Sequence, residues 1–282
     1  MTKVIWAVDG VGSSKKSLAV AMKGIRSFFS RKEAEIIPVY VLSSNPLALG
    51  VLDDQLKTSL ESYRVAAEKA LSKTMKPFQA QVGQSRVVIE DGSFSRHSVD
   101  RLVATAQAEG ASMILMSTHA AEGLERLFLG SFAETALLRS KIPLFFVNPK
   151  NLPAQKVKTI LFPSNLSSSN EKHFKRVLGE ARRLKAKVVL YQKLVLPVQP
   201  LLSAGSLLLG GVPVVMPLFA EEQATKADRR ATAWVELGKA DGVKVEWLLD
   251  RKPGTIKEGV LRAARAKKAQ LIAMCSSSGV IE

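Results

Sequence analysis

Short apolar runs alternate along this chain with longer stretches in which apolar residues recur every third or fourth position. VIWAVD (Val4–Asp9) is a β-branched and aromatic run, read as a buried strand, and after the turn GVGSS the segment KKSLAVAMKGIRSFFSRK has helical periodicity. AEIIPVYVL (Ala34–Leu42) predicts a second strand, SSNPLALG a loop, and Asp53 to about Lys76 a long amphipathic helix. SRVVIEDG predicts a third strand, Ser95–Glu109 a helix, ASMILMS a fourth strand, Gly130–Ser140 a helix and IPLFFVN a fifth strand. Each strand is nearly all apolar and each is followed by a helix. That pattern predicts an α/β fold with a parallel sheet covered on both faces.

The pattern then begins again. VKTILFPSNLSSSNEKHFKRVL repeats TKVIWAVDGVGSSKKSLAVAM, and AKVVLYQKLV repeats AEIIPVYVLS. VKVEWLLDRKPGTIKEGVLRAARAKKAQLIAMCSSSG repeats SRVVIEDGSFSRHSVDRLVATAQAEGASMILMSTHA. A period of about 155 residues is too long for a solenoid and predicts a tandem duplication of one domain. The expected domains are residues 1–150 and 157–282, joined near NPKNLPAQK (Asn148–Lys156). After Met274 only CSSSGVIE follows, so the second copy is expected to lack its C-terminal helix and strand and to stop after a fourth strand.

The second copy also carries Leu194–Ala220, 27 residues without a charge. Pro197, Pro200, Pro213 and Pro217, with Gly205, Gly210 and Gly211, exclude an uninterrupted spanning helix. An apolar loop that covers core or meets a partner is the expectation.

Charge changes the picture in one half. The net charge is +16, from 41 Lys and Arg against 25 Asp and Glu. Residues 1–150 hold 19 and 14 of these, and the rest of the chain holds 22 and 11. A basic second half could attract nucleic acid, anionic lipid or an acidic protein, although EKHFKRVLGEARRLKAK places its charges as the solvated face of an amphipathic helix would. No nucleic-acid-binding motif supports sequence-specific readout. The single cysteine, Cys275, excludes an internal disulfide and fits a reducing compartment. MTKVIWAVDG reaches Asp9 without a long apolar region, so it does not read as a signal peptide and a cytoplasmic location is expected.

In an open parallel sheet, ligands sit beyond the carboxyl ends of the strands, where the strand order reverses. Asp9, Val41 and Met116–Ala120 fall at such ends. Asp9 can accept from a ribose or an adenine amino group, or simply cap the following turn. Gly130 and Ser131 open a helix, where free N–H groups and the dipole favour an anion. There is no G-x-x-x-x-G-K-[ST] loop and no G-x-S-x-G elbow. His97, His119, His173 and one cysteine are too widely spaced for a zinc site. His119, after the fourth strand, could act near a phosphate or as a base near Ser131, or could simply face solvent from its loop.

The order VIWAVDG, VYVL, EDGS and MILMSTHAAEGLERLFLGSFAETALLRSKIPLFFV resembles the universal stress protein family. The likeness runs the length of the first copy and, less closely, from Val157 onward. It implies two tandem doubly wound domains with mainly parallel five-stranded sheets of the adenine-nucleotide alpha-hydrolase-like type. Nucleotide-binding members have a strand-end Asp and a G-x2-G-x9-G-[ST] signature. Here the frame reads Ser117, two residues, Ala120, nine residues, Gly130-Ser131. The resemblance puts Asp9 and Val41 at the positions that hold adenosine, Met116 before the first glycine, and Gly130 and Ser131 at the phosphate end. Ser117 and Ala120 stand where glycines would. If the loop needs positive φ, each costs on the order of 1 kcal/mol.

The resemblance therefore implies a non-catalytic stress or signalling module whose first domain holds a weakened site for ATP with Mg²⁺. In the second copy Asn165 stands for Asp9, Cys275 and Ser278 for the glycines, and the Gly-Ser helix is missing, so it is expected not to bind. The two copies are expected to pack as an intramolecular pseudo-dimer, with further homo-oligomers and a protein partner open. The alternatives are a nucleotide-independent scaffold that uses the basic half, and an ATP-cleaving enzyme.

Overall fold

The structure, a computed structural model, describes residues 1–8, 15–43, 56–90, 95–117, 131–148, 156–194, 199–200, 213–214 and 217–275. Two compact units divide between Gln155 and Lys156.

In the first unit, strand β1 (Thr2–Ala7) is followed by α1 (Lys15–Phe28), β2 (Ala34–Ser43), α2 (Leu56–Met75), a 3₁₀ turn at Lys76–Phe78 and β3 (Arg86–Glu90). Then come α3 (Ser95–Ala108), β4 (Met113–Ser117), α4 (Ser131–Arg139) and β5 (Leu144–Val147). The five strands are ordered β3-β2-β1-β4-β5, every neighbouring pair parallel. Val4, Ile5 and Trp6 are all buried, as a central strand covered on both faces requires. One face packs on α3 and α4 through Ile5, Val39, Val99, Leu102, Ile114 and Met116. Along α1, Leu18, Ala21, Met22 and Ile25 are buried at helical spacing.

The second unit contains β6 (Thr159–Pro163), α5 (Ser168–Leu184), β7 (Lys187–Lys193), α6 (Pro217–Ala240), β10 (Val245–Asp250), α7 (Ile256–Ala266) and β11 (Leu271–Ile272). Between β7 and α6, β8 (Gln199–Pro200) and β9 (Pro213–Val214) pair antiparallel. The main sheet has four strands among the described residues, in the order β10-β7-β6-β11 and all parallel. Phe162 packs on Phe174 of α5 and Trp234 of α6, and those two rings stack at 4.8 Å. The stretch expected to be a loop through Ala220 is helical from Pro217, where a first-turn proline costs no hydrogen bond. Residues 195–198, 201–212 and 215–216 of that stretch lie outside the described residues.

The two units superpose by hydrogen bond as well as by order. Ser112 N donates to Lys3 O at 3.0 Å, and Gln270 N to Thr159 O at 3.1 Å. Val8 N donates to Val39 O at 3.0 Å, and Ser164 N to Tyr191 O at 2.9 Å. Gly110 (φ 64°) and Lys268 (φ 50°) turn the chain at the same point before the fourth strand of each sheet. Position 41 of the first unit therefore matches 193 of the second, and 116 matches 274.

Candidate functional site

The first sheet reverses its strand order at β1. From β1 the chain builds outward through β2 and β3, then returns to place β4 on the other side. Such a switch point leaves a crevice beyond the carboxyl ends of the two central strands, because their following loops run to opposite faces. Ala7 lies opposite Met116 across this point and opposite Val39 on the other flank. Ala7, Val41, Val88 and Met116 pack on the same apolar cluster beneath α3 and α4, and Met116 is buried within it. Ser117 ends β4, half-buried, opposite Val147 of β5.

Of the residues expected at the site, Val41, Met116 and Ser117 thus stand at one edge of one sheet. Ser131 is the first residue of α4, a nine-residue helix. Asp9, Ala120 and Gly130 lie outside the described residues, as does His119.

One carboxylate at this edge was missed by sequence reasoning. Glu90, the last residue of β3, is 1% exposed, and the Ser98 hydroxyl of α3 donates to it. The available signal was a glutamate closing an otherwise apolar run just ahead of a helix rich in Ser and His. The fitting role is structural: it ties the first turn of α3 to the end of β3.

The matching edge of the second unit is built otherwise. Lys193 holds the position of Val41, with its side chain 5% exposed and its ammonium 3.7 Å from Asp250. The Tyr191 hydroxyl and the Arg262 guanidinium each donate to Asp250 Oδ2 at 2.8 Å, and Lys252 N donates to Oδ1 at 2.9 Å. Lys193 Nζ also donates to Lys252 O. Burial alone would raise the Asp250 pKa, but these donors and the nearby ammonium more than offset it and hold it at about 2. Burial, then the Asp250 hydrogen bond and charge, push the Tyr191 phenol up. Gly259 of α7 lies against this cluster, and a Cβ there would collide with Tyr191 Oη and reach 2.9 Å from Asp250 Oδ2. Cys275, at the position of Ser117, is partly enclosed, and burial raises its thiol pKa.

Apart from Glu90, the first unit thus presents Ala7, Val41, Met116 and Ser117 near its strand ends, and the second presents an ionic cluster. The first leaves an apolar face at this edge that the ionic cluster of the second does not. Among the described residues no group of three or more His, Cys, Asp or Glu could hold a metal ion.

The family model for the universal stress protein family matches residues 1–148. The chain belongs to the universal stress protein family. A universal stress protein of Methanocaldococcus jannaschii is 24% identical over 164 residues, covering 53% of this chain and 96% of that one. Among solved structures, a universal stress protein from Archaeoglobus fulgidus DSM 4304 covers 98% of this chain and 86% of its own at a TM-score of 0.60 and 15% identity. A Pseudomonas aeruginosa PAO1 protein of unknown function covers 100% and 84% at a TM-score of 0.54 and 12% identity. At these identities the two structures speak for the fold alone. No described helix is long and apolar enough to cross a membrane.

Proposed function

We propose that this universal stress protein is a non-catalytic stress or signalling module whose first domain, residues 1–150, binds an adenine nucleotide weakly. The observation that carries the reading is the switch point of the first sheet, where Ala7 lies opposite Met116 and Val41 shares their apolar face. In sequence Asp9 follows the end of β1 by two residues, and Ser117 is the last residue of β4. In this reading Asp9 and Val41 hold adenosine. Gly130 and Ser131, at the start of α4, receive the phosphates of ATP, with Mg²⁺ carried by the nucleotide. Ser117 and Ala120 in place of glycines weaken the site.

The second domain, residues 157–282, is in this reading a non-binding partner. Lys193 supports it, because a buried ammonium already paired with Asp250 fills the place that Val41 leaves to a base. The two domains would form a pseudo-dimer within one cytoplasmic chain, open to further self-association.

Calorimetric titration of the purified chain with ATP and Mg²⁺ tests the reading, after a check for co-purified nucleotide. The expected result is one weak site per chain, lost in Asp9→Ala and in Gly130→Val. No heat and no carried nucleotide would leave both domains as scaffolds.

A further inference from the structure

The opposite edge of the second sheet, where its strands begin, carries a charge pattern that the first sheet lacks. Thr159 pairs with Lys187 where β6 meets β7, and Lys3 pairs with Glu35 where β1 meets β2. Lys187 is thus the counterpart of Glu35, and two residues earlier Lys185 is the counterpart of Glu33. Lys267 immediately precedes Lys268 as Glu109 precedes Gly110, and the two turns match in φ. Three carboxylate positions of the first unit are lysines in the second.

The ion pairs change accordingly. In the first unit one carboxylate, Glu109, serves two cations, Lys3 at 2.9 Å and Arg86. In the second, Glu246 serves three: Lys187 at 2.9 Å, Lys267 at 3.5 Å and Lys244 at 3.6 Å. Lys158, Lys185 and Lys268 are exposed beside them. Glu180, Glu236 and Asp241 at the same end are matched by Arg183, Lys239 and Arg182. The carboxyl ends of α5, α6 and α7 point here and contribute roughly half a negative charge each. Six lysines against Glu246 and three helix ends still leave a net charge of about +3 to +4.

We infer that the amino edge of the second sheet is a sequence-independent docking surface for the phosphate backbone of a nucleic acid duplex. The lysines stand at or just before the starts of adjacent strands in the order β10-β7-β6-β11. At about 4.8 Å between neighbours, four strands make a row about 15 Å long. One strand of a duplex rises about 3.4 Å per nucleotide, so the row spans four or five phosphates. Lysine is a point charge suited to phosphate, without the planar fork that reads carboxylates and base edges. The exposed large apolar residues described in this unit, Ile256 and Met274, lie toward the other edge of the sheet, following β10 and β11. The lysine row therefore has no described apolar anchor for a membrane, a base stack or a protein hot spot.

The test is fluorescence anisotropy of the full chain with two unrelated labelled DNA duplexes of about 20 base pairs, from about 50 to about 200 mM salt. The wild type should bind both alike, with affinity falling steeply as salt rises. Lys158→Gln/Lys185→Gln/Lys244→Gln/Lys268→Gln changes exposed side chains, so folding is preserved. It should weaken binding at least tenfold and flatten the salt slope by about 3. Lys172→Gln/Lys175→Gln/Arg176→Gln/Lys226→Gln, with the same charge change on the outer helices, should weaken it less than about threefold. No duplex binding at low salt, or equal loss in both variants, overturns the assignment. So does displacement by polyglutamate or phosphatidylserine vesicles as effective, charge for charge, as unlabelled duplex. Because Asp9→Ala should leave this binding unchanged, the outcome is separable from the nucleotide titration.

Discussion

The Lys193 ammonium lies 3.7 Å from the Asp250 carboxylate where β7 and β10 end, and both side chains are more than nine-tenths enclosed. The same position in the first sheet is Val41, which packs on an apolar cluster. One duplicated position has therefore become part of an apolar face in one copy and part of an internal ionic cluster in the other.

Asp250→Asn should destabilise the second unit by on the order of 3 kcal/mol, because it leaves Lys193 enclosed without its counter-ion. Urea unfolding followed by the fluorescence of Trp234 and Trp247, both in this unit, measures it. An unchanged midpoint would mean that water reaches the Lys193 ammonium.

Stability of the second unit should fall in acid. The Asp250 pKa is held at about 2 in the fold, below its ordinary value of 3.8. A lowered pKa gives stability that is complete above the unfolded value and disappears as pH drops through the folded one. A loss on the order of 2 kcal/mol is expected between about pH 4 and pH 2. Comparing acid unfolding of the wild type with Asp250→Asn isolates this contribution, since the variant lacks the titrating group.

Gly259→Ala should lower the melting temperature although alanine is the better helix former. The propensity gain is about 1 kcal/mol, and crowding against Tyr191 Oη costs roughly 1–3 kcal/mol. Adding Tyr191→Phe to Gly259→Ala removes the colliding oxygen and should recover part of the loss. A Gly259→Ala variant more stable than wild type would show that α7 shifts freely to make room.

Restoring glycines should strengthen the proposed nucleotide site. Ser117→Gly/Ala120→Gly removes two substitutions worth on the order of 1 kcal/mol each where positive φ is required. ATP affinity should rise on the order of tenfold or more, measured by calorimetry. Unchanged affinity would place the weakness elsewhere in the loop.

The alternation of apolar runs with amphipathic stretches was enough to foresee both α/β units and their parallel strands. Strand interiors such as Val4–Trp6 and helix faces such as Leu18–Ile25 are local patterns, set by periods of two and 3.6 residues. Of the expected site, the positions of Val41 in β2, Met116 and Ser117 at the end of β4, and Ser131 at the start of α4 follow from those patterns, while Asp9, Ala120 and Gly130 lie outside the described residues. Glu90 and the Lys193–Asp250 cluster were not legible, because a single charged residue closing a strand reads the same whether it caps a helix, pairs inside or faces water.

By itself the sequence determined that the chain folds as two copies of one parallel α/β unit, because burial on both faces of a strand is written into consecutive residues. Only the tertiary structure decided which charges meet. Tyr191 and Asp250 stand 59 residues apart, as do Lys187 and Glu246, and each pair is brought together by the register of β7 against β10. A shift of one residue would turn every side chain of β10 to the other face and dissolve both contacts. Register is a property of the packed sheet, and so is the chemistry of its two edges.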